Sequence, residues 1–299
     1  MISEWMDKIE ERPSPPPKLY KYVVPARTDV LIGSSIRFTP LLNTNDTFEV
    51  RQTFDLVAGD KMRALFEEQL EEVDPQEQLD EALAEMPLAG LVPGLREALS
   101  NPDFLAALKS TTGAIVRDRI IPGMNSPEWI ERLLDQLASK HICLSLSERW
   151  DCSPMWAHYA QNSEGFVIEF DTSSPFFRVG EAKDRQGLQK VSYFDGRVGE
   201  VLDDPYVALI SKQKDWEYER EWRLYVPPET SATVLQAGDQ EIRLVSFPKA
   251  AVTKVIVGVR SSGVLIDSLR SLVRDEYPHA ALVRLSADRR TATYEQTPL

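Results

Sequence analysis

The spacing of apolar residues changes twice along this chain of 299 residues, and few folds accommodate both changes. Near the start, Leu19-Tyr20-Lys21-Tyr22-Val23-Val24 is aromatic and β-branched, and Ser35-Ile36-Arg37-Phe38 alternates; both read as strands. Pro13, Pro15, Pro16 and Pro17 make an extended lead-in to the first of them. From 54 to 140 the spacing becomes helical. Met62, Leu65, Phe66, Leu70 and Val73 recur before Pro75, and Leu79, Leu83 and Met86 repeat the pattern before Pro87. Further helices are expected over 95–99, 103–119 and 127–140, with start signals at Asn101-Pro102 and Ser126-Pro127. Beyond 140 alternation returns, and the pattern predicts strands over 141–147, 165–170, 188–193, 222–226, 241–245, 254–257 and 281–285. Helices are expected over 154–160, 204–212 and 263–276, and a loop over 227–238 opened by Pro227-Pro228. The expected fold is α+β: a mixed, mostly antiparallel sheet domain formed by 1–53 and 141–299. An acidic helical insertion at 54–140 separates its second strand from its third.

Charge follows the same division. The net charge is −13, and residues 51–100, with twelve acids against four bases, hold −8 of it. The acidic helices read as a solvated face or as a docking face for a basic partner. The remainder of the chain has only −5, so broad neutralisation of nucleic-acid phosphates is not expected, while a small basic groove in the sheet domain stays open. No apolar run approaches the roughly 18 residues of a membrane span. The N-terminus lacks a basic segment followed by an apolar one, and the two cysteines, Cys143 and Cys152, make no disulfide framework; a reducing cytoplasm is expected. Two cysteines and three histidines cannot build a Cys-rich zinc site, and no metal site is expected from them.

Three constellations could support chemistry. Lys214-Asp215-Trp216-Glu217-Tyr218-Glu219-Arg220-Glu221-Trp222-Arg223 is dense in charge and aromatic rings. If its strand begins before Trp222, Glu219 and Glu221 share a face. Two such carboxylates raise each other's pKa and suit general-base work or hydrogen bonding to a sugar hydroxyl. The plain alternative is a set of surface ion pairs with Arg220, Arg223 or Lys214. In Cys143-Leu144-Ser145-Leu146-Ser147, alternation sets the small polar residues opposite the leucines. That row could line a groove or be one side of a half-buried strand. In Met155-Trp156-Ala157-His158-Tyr159-Ala160, Trp156 and Tyr159 share a helix face that reads first as core. No phosphate-binding glycine loop, dinucleotide fingerprint or serine-hydrolase elbow is present.

The order of these motifs resembles a bacterial family of unknown function over about residues 18–260. Leu19-Tyr20-Lys21-Tyr22 is followed by Asn45-Asp46-Thr47-Phe48-Glu49, Trp156-x-x-Tyr159-Ala160 and Glu219-x-Glu221-Trp222-Arg223. Thr47 stands where that family usually has proline. The Ser145-x-Ser147 strand and the Trp216-x-x-Glu219-x-Glu221 turn also resemble ADP-ribosyltransferases of the Arg–Ser–Glu type. That resemblance implies NAD as cosubstrate and a protein or nucleic-acid acceptor, in a bacterial or phage conflict setting. It implies Glu221 as the residue stabilising charge at the glycosidic carbon and Glu219 as the one orienting or deprotonating the acceptor. Ser145 would position Glu221, Ser147 would join it in the cofactor site, and Lys21 would stand where an arginine is usual. Tyr22, Trp216 or Tyr159 would supply the aromatic contact. Two other readings stand beside it. One is a non-catalytic interaction or sensor module. The other is a metal-dependent hydrolase built on Asp46, Glu49, Glu219 and Glu221.

Overall fold

Alternation decides where the strands lie, and burial decides which face each side chain takes. The computed structural model describes residues 13–41, 54–56, 100–178, 187–195, 198–200, 207–238 and 240–299, with isolated positions between 64 and 77. The expected helices over 61–73, 79–86 and 95–99 lie outside the described residues, apart from those few positions. The chain divides into two compact units, one of Met1–Gln52, Asp135–Gly196 and Ala208–Leu299, the other of Thr53–Leu134 and Arg197–Val207.

The first unit is α+β, with a large mixed, mostly antiparallel sheet. Its strands in chain order begin with β1 (Lys18–Val23) and β2 (Ser35–Pro40). In the second unit, β3 (Phe54–Leu56) pairs in parallel with Val198–Glu200. The first unit continues with β4 (Ile142–Ser147), β5 (Phe166–Asp171), β6 (Gly187–Lys190) and β7 (Ser192–Phe194). With Val198–Glu200 counted as β8, there follow β9 (Ser211–Gln213), β10 (Glu221–Val226), β11 (Thr233–Ala237) and β12 (Gln240–Ser246). The last are β13 (Val252–Val257), β14 (Ala281–Asp288) and β15 (Thr293–Pro298). The main path runs β11-β12-β2-β4-β1-β5-β13-β14-β15, with β10 branching from β4 and leading to β6.

One sheet face packs the main core. Leu19, Leu144, Leu146, Phe166, Ile168, Trp222 and Leu224 meet Leu265, Ile266, Leu269 and Val273 of the helix Gly263–Glu276 there. The other face holds a smaller cluster around Trp156, Tyr22, Val167 and Ile256. Each of these large side chains, buried, contributes about 1.5–3 kcal/mol. Trp156 belongs to the short helix Ser153–Tyr159, and its indole nitrogen donates to the Trp150 carbonyl at 2.7 Å.

The edges of β4 place the site. One edge pairs with β10 from Ile142 to Ser147. The other is divided: Ile142 and Cys143 pair with Pro40 and Thr39 of β2, and Ser147 pairs with Tyr20 of β1. Strands β1 and β2 therefore diverge beside Ser145, whose carbonyl is taken instead by the Lys21 ammonium at 2.9 Å.

Three expectations change. Residues 204–212 were expected to be one helix; among the described residues of that range Val207–Ile210 is helical, but Ser211–Gln213 forms a strand beside β7. There Ser211 and Lys212 are buried, and Lys212 meets its counter-charges. The loop expected over 227–238 contains β11, an exposed edge strand carrying Thr233, Val234 and Leu235. The strand β15 closes the far edge, where no element was expected. In the second unit the helix Pro102–Ile115, capped by the Asn101 side chain on the Asp103 amide at 2.8 Å, passes into a π-helical turn over Val116–Ile120.

Gly165 and Gly258 mark where backbones meet. A methyl on Gly165 would lie 2.0 Å from the Val23 carbonyl oxygen, and one on Gly258 would lie 2.2 Å from that of Ser163. Gly165→Ala is expected to cost about 2 kcal/mol or more in urea unfolding, through forced backbone shifts. Gly263→Ala, in open space at the first turn of a helix, is expected to gain about 0.5–1 kcal/mol.

Candidate functional site

Residues from the divided edge of β4 and from the β9–β10 connection line a cavity of about 270 Å³. Lys21 and Tyr22 come from β1, Arg37 and Thr39 from β2, and Ser145 and Ser147 from β4. Tyr159, Lys212, Glu219 and Glu221 complete the polar lining.

Backbone geometry brings the two glutamates together in an unexpected way. Strand alternation does not align them, because β10 begins only at Glu221 and Glu219 ends the 3-10 helix Lys214–Glu219. Between them Arg220 takes a left-handed conformation, φ 44°. That turn swings the Glu219 carboxylate back beside Glu221. The Ser147 hydroxyl secures it by donating to the Glu219 carbonyl at 2.6 Å.

Lys212 lies between the two carboxylates. Its ammonium is 2.6 Å from Oε2 of Glu219 and 3.1 Å from Oε2 of Glu221, with all three side chains at most 5% exposed. Glu219 Oε1 accepts from the Tyr159 hydroxyl at 2.6 Å. Glu221 also receives Arg223, with Nε donating to Oε1 at 2.8 Å and Nη2 to Oε2 at 3.1 Å. The Arg223 guanidinium is fully buried and continues to the Leu209 carbonyl at 2.5 Å. The glutamates make buried charge pairs, not surface ones, and their partners are Lys212 and Arg223. Arg220 is exposed.

These surroundings separate the acids. Burial is the larger effect on Glu219 and pushes its carboxyl up, reinforced by the charge of Glu221 and opposed by Lys212. Burial also opposes ionisation of Glu221. The charges of Arg223 and Lys212, with hydrogen bonds from Arg223 and Ser145, outweigh it and hold that carboxyl well below the usual range. Burial pushes the Lys21 ammonium down, and the neighbouring Arg37 charge acts in the same direction.

The sequence candidates are not all in the cavity. Lys21, Tyr22, Ser145, Ser147, Tyr159, Glu219 and Glu221 line it, and Trp216 does not. The Trp216 ring lies 4.8 Å from the Lys212 ammonium, where it supports the cation. Tyr22 is buried edge-on against Trp156, ring centroids 5.3 Å apart, and its hydroxyl donates to the Arg149 carbonyl at 2.9 Å. A stacking partner for a planar ligand would therefore be Tyr20 or Tyr159, both half-buried in the lining. Burial and Glu169 push the Tyr20 hydroxyl up to about 12, so that ring stays neutral at physiological pH. Asp46 and Glu49 lie outside the described residues, among which no group of His, Cys, Asp and Glu is arranged to hold a metal ion.

Sequence reasoning passed over Lys212 and Arg37. Lys212 sat in a segment expected to be helical, so nothing directed it at Glu219. Arg37 carried a usable signal: between inward-facing Ile36 and Phe38, alternation turns it to the opposite face.

A family model described as "Protein of unknown function (DUF2971)" matches residues 155–224. That stretch contains Tyr159, Lys212, Glu219, Glu221 and Arg223, but not β1, β2 or β4. No curated protein and no solved structure matches the chain. No helix among the described residues is long and apolar enough to cross a membrane.

Removing one member of this charge cluster exposes its worth. Lys212→Met leaves Glu219 facing Glu221 with no cation between them, and a loss of about 3–5 kcal/mol in urea unfolding is expected. The pH profile separates the acids. Above the ordinary value of 4.5, the raised Glu219 makes the folded chain bind more protons than the unfolded one, so its contribution falls as pH rises through that window. The depressed Glu221 stabilises above 4.5, and its contribution is lost as pH falls below it. Glu219→Gln should flatten the first slope and Glu221→Gln the second, read by melts from pH 3 to pH 8.

Proposed function

We propose that this protein binds NAD and cleaves the bond between nicotinamide and ribose, passing ADP-ribose to a protein or nucleic-acid acceptor or to water. The observation that supports this reading is the Glu221 carboxylate, paired with Arg223 and Lys212, lining the cavity with Ser145 and Lys21.

The chemistry needs a fixed anion more than a strong base. As the bond from the ribose C1′ to the ring nitrogen breaks, its electron pair leaves with nicotinamide and positive charge develops on the ribose. A carboxylate held ionised beside that carbon stabilises the charge and can accept a hydrogen bond from a ribose hydroxyl. Glu221 suits this task and is a poor proton acceptor, since its pKa is depressed. Glu219 has the opposite character. Its raised pKa suits it to take the proton of the attacking hydroxyl or water, and Tyr159 fixes its orientation. Ser145 lines the cavity with Glu221 and helps hold its carboxyl down.

One observation favours a second reading, a sensor that binds the dinucleotide without cleaving it. Glu221 already accepts three bonds from Arg223 and Lys212, which leaves it little acceptor capacity for a ribose hydroxyl.

Incubation with NAD labelled in the nicotinamide ring separates these readings. Wild type is expected to release nicotinamide, undiminished in chelator, and Glu221→Gln to lower the rate about 10²–10³-fold. Equal rates in wild type and Glu221→Gln would remove Glu221 from the mechanism. Binding without release would establish the sensor.

A further inference from the structure

Among the described residues the charges in the cleft do not balance, and one cation, Arg37, has a buried nitrogen without a hydrogen-bond partner. Lys21, Arg37, Lys212 and Arg223 stand against Glu219 and Glu221. The pairs Lys212–Glu219, Lys212–Glu221 and Arg223–Glu221 account for both carboxylates. Lys21 is engaged by a neutral carbonyl, that of Ser145. Arg37 lines the cavity, and its Nε is buried without a hydrogen-bond partner, alone in this among the buried side-chain nitrogens and oxygens of the described residues. An arginine nitrogen taken out of water and given nothing to bind costs folding free energy, so it points to a ligand.

Arg37 is also well held. It sits on β2, where Arg37 pairs with Leu244, and its neighbours Ile36 and Phe38 are locked in the core. On the far side of the cleft the Lys21 ammonium is fixed on Ser145. A planar fork and a point charge at the mouth of a divided sheet edge suit an anion with several oxygens.

We infer that Arg37, rather than Lys21, is the anchor for the diphosphate of the ligand, and that it makes the cleft selective for nucleoside diphosphates over nucleosides. This rests on the reading of the cleft as a dinucleotide site, but it concerns binding and not cleavage.

Calorimetric titration with inorganic pyrophosphate, ADP-ribose and adenosine tests it, using wild type, Arg37→Gln and Arg37→Met. Wild type should bind pyrophosphate and ADP-ribose. Arg37→Gln should weaken both about ten- to a hundred-fold and leave adenosine unchanged. Without ligand, Arg37→Met should melt no lower than wild type, since the buried Nε it removes makes no hydrogen bond. Unchanged ADP-ribose affinity in Arg37→Gln, no pyrophosphate binding by wild type, or a marked drop in the melting temperature of Arg37→Met would each overturn the inference. The two proposals can fail separately. Pyrophosphate binding that depends on Arg37 while NAD stays intact would keep the anion site and remove the proposed cleavage. NAD cleaved with the same KM by wild type and Arg37→Gln would keep the cleavage and remove this role for Arg37.

Discussion

The ammonium of Lys212, buried between Glu219 and Glu221, is the interaction on which the rest of the site depends. Two carboxylates so close, and so far from water, cannot both ionise without a cation between them. Burying three charges is itself costly, and a well-packed apolar triad would hold this part of the fold at least as firmly. What the cluster supplies is difference. Arg223 joins Glu221 and not Glu219, so residues two apart in the chain take opposite acid–base characters.

The divided edge of β4 is the second constraint. A strand paired along both edges has no room for a ligand. Here β2 leaves β4 after Cys143 and β1 meets it at Ser147, which opens a cleft over Ser145. Each strand then contributes a cation, Arg37 from β2 and Lys21 from β1. The main core behind is packed with Leu144, Leu146 and Trp222, so the cleft has a rigid back. In a chain of net charge −13, the described lining of this cavity thus carries more basic side chains than carboxylates.

Much of the sheet was legible in the sequence, because alternation is a local signal. Ile142–Ser147, Glu221–Val226 and the helix Gly263–Glu276 lie within a residue or so of the expected bounds. The Glu219–Glu221 pair was visible as a motif, but its geometry was not. It depends on a left-handed Arg220 and on a lysine brought in by a three-residue strand, and neither has a periodicity to read. Trp216 was misplaced for the same reason: in a 3-10 turn an aromatic faces wherever the turn directs it, here onto Lys212. Arg37 was readable from the alternation of Ile36 and Phe38. Its significance was not, since an unpartnered nitrogen is known only once every neighbour is in place.

Two neighbouring glutamates in one cluster are shifted in opposite directions from the ordinary carboxyl value. Carboxyl 13C NMR of glutamate-labelled protein, assigned with Glu219→Gln and Glu221→Gln, measures this directly as pH is varied. The account predicts one resonance, that of Glu221, still ionised at the lowest pH the fold tolerates, and a second, that of Glu219, titrating above the ordinary 4.5. Two resonances titrating together near 4.5 would show both carboxyls in water, and would contradict it.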